Sequence, residues 1–247
     1  MFKLLNLDRV NYLGRRLDKK MFYDNGDFSK EDKKIFIDYI DRIEMSYLIN
    51  STNLNIQPFI NDEYYYKAIA SLKITLKQDG KLDQISKIIN NTIPNPIVII
   101  YELENKYKIS TAIKRLSKSE KDKTVIEEIR STPWLDINNL KDNEKIFIES
   151  ISLNKLPYTN LFDFYKVMND KIYIFEKSLE FGEYKDINNK EELRLNKEIS
   201  EKIEKLEVDL KKTISKLKRE NQFAKKMELN VKATQLQKEI DELKNSL

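Results

Sequence analysis

The sequence contains neither cysteine nor histidine in its 247 residues. The absence of cysteine excludes disulfide bonds, thiolate nucleophiles and zinc–thiolate sites. The absence of histidine excludes Ser-His-Asp and Cys-His catalytic groups and histidine-ligated zinc. The four glycines, at positions 14, 26, 80 and 182, are too dispersed for a Walker A loop or a G-x-G-x-x-G turn. Any catalysis would therefore rest on carboxylates, lysines, serines and a metal ion such as Mg²⁺.

Long apolar runs are also missing. No apolar run approaches the roughly 18 residues of a membrane helix, and the N-terminal stretch, which includes Lys3, Asp8 and Arg9, does not resemble a signal peptide. We therefore expect a cytoplasmic protein with no membrane partner. The chain is 35% charged, but its 45 Lys and Arg exceed its 41 Asp and Glu by only four. This net charge does not by itself predict a nucleic-acid-binding face.

The first half of the chain has both helical and strand-like patterns. Ser29 is placed to cap a helix, with acidic residues in its first turn. The apolar periodicity predicts, in order, a helix over 28–47, a strand over 64–77, a short helix around 85–89 that ends before Pro94, and a hairpin of strands at 97–101 and 107–113.

The second half predicts a further strand at 124–129 and a helix over 162–181. The weak alternation over 145–153 favours a strand, although a helix remains open. The predicted buried face of the helix over 162–181 consists of Phe164, Tyr165, Met168, Ile172 and Phe175. Residues 1–185 are therefore expected to form an α+β domain, with a mixed β-sheet flanked by helices.

A helical tail is predicted over residues 190–247. This segment has no glycine or proline, and its aliphatic residues follow the spacing of a coiled-coil seam that changes register between residues 220 and 228. The tail could be one long self-associating helix or a helical hairpin, and we favour the hairpin because each half carries its own leucine stripe. The predicted partner-binding residues are Leu206, Leu210, Leu217, Phe223, Leu229 and Leu236.

One residue set could support catalysis. Glu104-x-Lys106, with Asp79 upstream, resembles the arrangement in which restriction-type nucleases hold Mg²⁺ beside a lysine. The alternative is an ordinary hairpin turn in a sequence rich in Glu, Asn and Lys. We favour the turn, and with it a protein that is not an enzyme and has no cofactor.

Two basic segments could contact nucleic-acid phosphates. The first is a predicted loop cluster, diluted by acidic residues, that consists of Lys114, Arg115, Lys118, Lys121 and Lys123. The second lies on the tail and contains Lys211, Lys212, Lys216, Lys218 and Arg219. We favour solvated charges for the first segment. For the second we favour the polar face of a coiled coil, with Glu201, Glu204 and Glu207 as partners.

Several short motifs resemble an uncharacterised prokaryotic family. They are Lys20-x-Phe22-Tyr23, Thr52-x-x-Asn55-Ile56, Ile93-Pro94-x-Pro96-Ile97, Thr132-Pro133-Trp134-Leu135 and Glu220-x-Gln222-Phe223-x-x-Lys226-x-Glu228-Leu229-Asn230. The family is a domain of unknown function with a small α/β domain and a coiled-coil tail. One departure is Ala224, where an asparagine-like residue would be expected.

The resemblance implies a role, since members are similar to proteins encoded beside helicase and DNA-methyltransferase genes of restriction-like, anti-phage islands. It implies a non-catalytic accessory subunit of a bacterial DNA-defence complex that docks on a helicase or methyltransferase. The family has no assigned catalytic residues to transfer. A magnesium-dependent nuclease and a non-catalytic DNA- or RNA-binding protein remain the alternatives.

Overall fold

The structure is a computed structural model and describes residues 1–7, 10–24, 28–120, 123–181 and 183–247. The chain forms two compact units. The first consists of residues 1–176 and 183–186, and the second of residues 177–182 and 187–247.

The strands belong to the first unit. They are β1 (Arg15–Leu17), β2 (Ile40–Asn50), β3 (Phe59–Ile60), β4 (Tyr65–Tyr66), β5 (Ala68–Leu76), β6 (Ile97–Leu103), β7 (Lys106–Leu116), β8 (Thr124–Ser131) and β9 (Leu135–Asp136). The helices along the whole chain are α1 (Lys19–Asp24), α2 (Lys30–Tyr39), α3 (Ser51–Leu54), α4 (Leu82–Thr92), α5 (Asp142–Ser150), α6 (Leu161–Phe181), α7 (Lys190–Arg219) and α8 (Phe223–Lys244).

The main sheet has the strand order β1-β2-β5-β6-β7-β8, with β9 paired to one end of β7. Strands β5 and β6 are parallel because α4 crosses between them, and the other pairs are antiparallel. Strands β3 and β4 form a separate two-stranded sheet. The predicted α+β fold with a mixed sheet and a helical tail is confirmed.

Helices cover both faces of the main sheet. Ser86 of α4 donates a hydrogen bond to Ser110 of β7 at 3.3 Å, whereas Thr111 donates one to Asn169 of α6 at 2.8 Å. Consecutive strand residues point to opposite faces, so α4 and α6 lie on opposite sides. The predicted buried residues of α6 are all buried.

The helix predicted over 28–47 ends earlier than expected. Ser29 caps α2 as predicted, but the helix stops at Tyr39 and the chain continues as β2. Ile40, Ile43 and Tyr47 are spaced as on a helix, yet their buried positions fit a strand paired with β5 and shifted in register at two points. The bulges make the burial of β2 irregular, which hid its strand character in the sequence.

The strand predicted over 145–153 was wrong, because residues 142–150 form α5. Glu144 accepts a hydrogen bond from the backbone of Lys141 at 2.8 Å and so caps the start of this helix. Phe147 is buried and stacks on Phe175 with ring centroids 4.0 Å apart. This aromatic pair joins segments that are distant in sequence, and its packing favours a helix. The alternation of apolar and polar residues over 145–153 did not indicate that helix.

The second unit is dominated by a helical hairpin. Helices α7 and α8 contact each other and are joined by only Glu220, Asn221 and Gln222, so they run antiparallel. Lys202 pairs with Glu239 at 2.7 Å, and Lys244 pairs with Glu207 at 2.8 Å. The register change in the sequence is therefore the turn of a hairpin. In the part of the chain that the structure describes, no helix is both long and apolar enough to cross a membrane.

Candidate nucleic-acid interface

Positive charge is concentrated where α7 and α8 meet. Residues 211–232, which we call the hairpin tip, contain eight Lys or Arg and two Glu, a net charge of +6. The whole chain has a net charge of +4, so the remainder of the protein is net negative. The basic residues of the hairpin tip are Lys211, Lys212, Lys216, Lys218, Arg219, Lys225, Lys226 and Lys232.

Seven of these eight cations have no carboxylate within 4.0 Å among the described residues. The exception is Lys212, whose Nζ lies 3.6 Å from Asp209. The glutamates that the sequence suggested as partners are engaged elsewhere. Glu204 pairs with Lys177 at 3.7 Å and Glu207 with Lys244 at 2.8 Å, so the tip retains its positive charge.

The rest of the hairpin has the opposite character. Arg194 pairs with Glu191 at 2.5 Å and with Glu198 at 2.6 Å, and Lys238 pairs with Glu242 at 3.7 Å. Neutralisation by neighbours is what a solvated coiled-coil face requires. Arg194 and Lys238 therefore have the paired charges of a solvated coiled-coil face, whereas most cations of the hairpin tip do not.

A groove of about 530 Å³ opens between the two helices at the tip. Lys216 and Arg219 line it from α7, and Lys225 and Lys232 line it from α8. Lys225 and Lys232 are two helical turns apart, which is roughly 10 Å along the axis. The other lining residues are Glu220, Glu228 and Leu229, so cations outnumber carboxylates by two to one.

Phe223 is the first residue of α8, and it is 79% exposed to solvent. It is the most exposed large hydrophobic residue in the described part of the chain. In sequence it lies between Arg219 and Lys225, two cations that have no carboxylate within 4.0 Å in the described chain. The tip therefore combines positive charge with a free aromatic face.

The connection between the helices is built without glycine or a left-handed residue. Glu220 and Gln222 are extended, and one carboxylate oxygen of Glu220 accepts hydrogen bonds from the amides of Asn221 and Gln222, each at 2.8 Å. The bond from the Gln222 amide is the main reason that the pKa of Glu220 lies below its usual value, and Lys225 and Lys226 add to it. Glu220 thus remains ionised and defines the turn.

This arrangement can bind a flexible polyanion. Lysine and arginine side chains neutralise phosphates, and an exposed aromatic ring can stack on a base. The positive charge and the exposed ring of the hairpin tip both suit a ligand of this kind.

Lys114 lies in a strand, which corrects its predicted placement in a solvated loop. It lies in β7 and is only 2% exposed. Its ammonium donates hydrogen bonds to the backbone carbonyls of Ile93, at 2.6 Å, and Asn95, at 3.0 Å. Burial lowers the pKa of Lys114 to about 7. This side chain stabilises the end of α4 instead of reaching solvent.

The other residues of that predicted cluster are dispersed or paired. Arg115 also lies in β7 and contacts Glu127 at 3.4 Å, while Lys123 pairs with Glu120. Lys118 is exposed. Lys121 lies outside the described residues. In contrast to most cations of the hairpin tip, Arg115 and Lys123 are paired with carboxylates.

The three residues of the nuclease hypothesis form no hydrogen bond or ion pair with one another in the described part of the chain. Glu104 is an exposed residue of the turn between β6 and β7, and Lys106 is the exposed first residue of β7. Asp79 accepts a hydrogen bond from the indole of Trp134 at 3.1 Å. Trp134 packs on the core. Among the described residues no three acidic side chains come together in a way that could hold a metal ion.

The leucines predicted to bind a partner are half-buried on the two helices of the hairpin. This holds for Leu206, Leu210, Leu217, Leu229 and Leu236. Because the two helices contact each other, this seam is not an open docking surface. Phe223, the sixth predicted residue, is the exposed one.

Sequence analysis missed Lys225, Lys226 and Lys232 as members of a site. The basic segment that the sequence indicates lies on α7 alone and ends at the register change. A charge count continued across that change would have found these lysines, because an antiparallel hairpin brings the residues on either side of its turn together.

No curated protein and no solved structure matches the sequence. A family match covers residues 5–240, which is nearly the whole chain and includes both units. The chain therefore belongs to the family described as Domain of unknown function (DUF4391).

Proposed function

We propose that the protein is a non-catalytic accessory subunit of a bacterial DNA-defence complex, in which it binds nucleic acid through the hairpin tip. The observation that carries the binding proposal is the net charge of +6 within 22 residues whose cations are mostly unpaired. The defence role rests on the resemblance of its motifs to proteins encoded in anti-phage islands.

The spatial arrangement of the cations favours nucleic acid over other ligands. The unpaired cations occupy both helices and surround a groove, which suits an extended phosphate chain better than a single small anion. Release of condensed counterions makes such contacts favourable, and each phosphate neutralised contributes to this term.

A non-catalytic role is favoured over the nuclease alternative because Glu104, Lys106 and Asp79 share no hydrogen bond or ion pair with one another in the described chain. Glu104 has a left-handed backbone conformation, with φ of 55°, that belongs to its turn. Glu104 therefore has a structural position in the turn between β6 and β7, as the hairpin interpretation predicts.

The binding proposal is tested by charge reversal. The double variant Lys216→Glu and Lys225→Glu should lose at least tenfold in affinity for a labelled oligonucleotide at about 0.1 M salt, because two phosphate contacts become repulsive. The matched control is Lys67→Glu with Lys205→Glu, which changes the net charge equally at exposed positions outside the tip. Fluorescence anisotropy measures both.

Equal losses in the two variants would mean that only net charge matters, and the tip would not be the binding site. Absence of binding by the unmodified protein would overturn the proposal altogether.

The role in a complex is tested by purification from the native host. A helicase or DNA methyltransferase should co-purify after nuclease treatment, and mass spectrometry identifies it. Recovery of the chain alone under these conditions would contradict the role as a subunit.

A further inference from the structure

The exposed ring at the hairpin tip points to the form of nucleic acid bound there. Resting on the proposed function, we infer that the tip binds single-stranded nucleic acid, with an unpaired base stacked on Phe223 and the adjoining backbone in the groove between α7 and α8.

The first step concerns the ring. Phe223 is 79% exposed, and no aromatic neighbour or cation stacks on it among the described residues. The large aromatic clusters of the first unit are different, since Phe147, Phe175 and Tyr184 pack on one another. Phe223 is thus available to a ligand with a flat apolar face.

The second step concerns which nucleic acid can offer that face. Bases inside a duplex are stacked on both sides, so a ring must unstack them, which costs free energy, before it can insert. Unpaired bases present their faces without this cost, and stacking on an aromatic side chain stabilises the complex by about 1–3 kcal/mol per base. Phe223 therefore favours single strands over duplexes.

The third step concerns the backbone. Phe223 is two residues from Lys225 and four from Arg219, and both of these line the groove. Lys232 extends the basic lining by two further turns of α8. A strand whose base stacks at the start of α8 can thus continue over several phosphates within the groove.

A protein partner or an anionic membrane could also be attracted by this positive charge, but each would need other surface features beside it. An amphipathic membrane-binding helix needs a broad apolar face, whereas only Phe223, Met227 and Val231 form an exposed apolar row on α8. The groove is lined by cations on both sides, which matches a chain of regularly spaced anions. Single-stranded nucleic acid satisfies both features with one ligand.

The experiment compares a labelled 20-nucleotide oligothymidine with a 20-base-pair duplex, using the full chain and fluorescence anisotropy. We expect tighter binding of the single strand, and a roughly 5- to 150-fold loss in Phe223→Ala for the single strand only. The plot of log K against log salt concentration should have a slope of about −3 if the four groove cations each contact a phosphate.

Val208→Ala is the matched control, because Val208 is a 49% exposed apolar residue of α7 outside the tip. It should bind both ligands like the unmodified chain. A second readout uses Phe223→Trp, whose indole emission should be quenched by oligothymidine. The unmodified chain, with Trp134 alone, should show no such quenching.

The outcomes separate this inference from the proposed function. Equal affinity for single strand and duplex, with Phe223→Ala unchanged, overturns the inference and leaves nucleic-acid binding standing. Failure to bind either oligonucleotide overturns both. Binding only to vesicles containing anionic lipid would also overturn both and would identify a membrane ligand.

Discussion

The position of the Lys114 side chain is determined by neighbours that are distant in sequence. The sequence placed it in a charged loop, because Arg115 and several lysines follow it. In the structure it points into the first unit, where Ile93 and Asn95 provide the acceptors from the crossover between α4 and β6. Those acceptors lie about 20 residues away in sequence, so no local pattern could have identified them.

The buried ammonium predicts a specific dependence of stability on pH. The unfolded chain holds this proton up to a pKa of about 10.4, whereas the folded chain loses it near 7. Between these values the unfolded state binds more protons, so the free energy of unfolding should rise with pH. Relative to Lys114→Met, the unmodified chain should gain up to about 1.4 kcal/mol per pH unit from pH 7 to 9.

Urea unfolding of both proteins at pH 6, 7, 8 and 9 measures this difference, and titrations elsewhere in the chain cancel in the comparison. Below pH 7 the difference should be nearly constant. A difference that stays flat up to pH 9 would show that Lys114 remains charged in the folded protein.

At the scale of elements, the sequence predicted best where one periodicity was uninterrupted. The regular alternation of β5, the β-branched run of β6 and the apolar stripe of α6 all gave the correct element. The prediction for β2 was wrong, because the register shifts of this strand give Ile40, Ile43 and Tyr47 the spacing of buried residues on a helix. Pairing with a distant strand decided its conformation, and that pairing is not encoded locally.

The two helices of the tail and the hairpin that they form were predicted from the leucine stripes and the register change, but the residue that stabilises the turn was not. The Glu220 carboxylate accepts hydrogen bonds from two amides of the turn, which does not use the glycine that commonly follows a helix end. The candidate site was predictable only in part for the same reason. Its α7 cations were noted in the sequence, while those of α8 required knowledge of the fold.

The hairpin predicts a crosslink. The ion pairs Lys202–Glu239 and Glu207–Lys244 run diagonally, which places Leu206 at the level of Ile240. In Leu206→Cys with Ile240→Cys, mild oxidation should form a disulfide within one chain, since the protein has no other thiol. The oxidised variant should be about 2–4 kcal/mol more stable than the same variant reduced.

Non-reducing electrophoresis and light scattering distinguish this outcome from association. A monomer with increased mobility fits the hairpin. Disulfide-linked dimers as the main product would instead mean that the seams of two chains pair in solution.

Over the whole molecule, the net charge hides its distribution. The value of +4 is small for a chain of 247 residues, yet it arises from a basic hairpin tip and a remainder that is net negative. The first 188 residues contain 30 Lys or Arg and 29 Asp or Glu, so they are close to neutral. The net charge of the whole chain therefore does not reveal the basic segment on which the binding proposal rests.

The division into two units predicts that binding and folding can be separated. A chain shortened to end at Asn188 keeps the main sheet, its core and the greater part of the first unit's contacts, so it should unfold in one cooperative transition. It should also lose oligonucleotide binding by at least tenfold, because nearly neutral residues release few counterions. Thermal unfolding followed by circular dichroism and anisotropy titration test the two parts. Gradual melting would mean that the helical tail belongs to the folding unit of the sheet, and retained affinity would relocate the binding surface to residues 1–188.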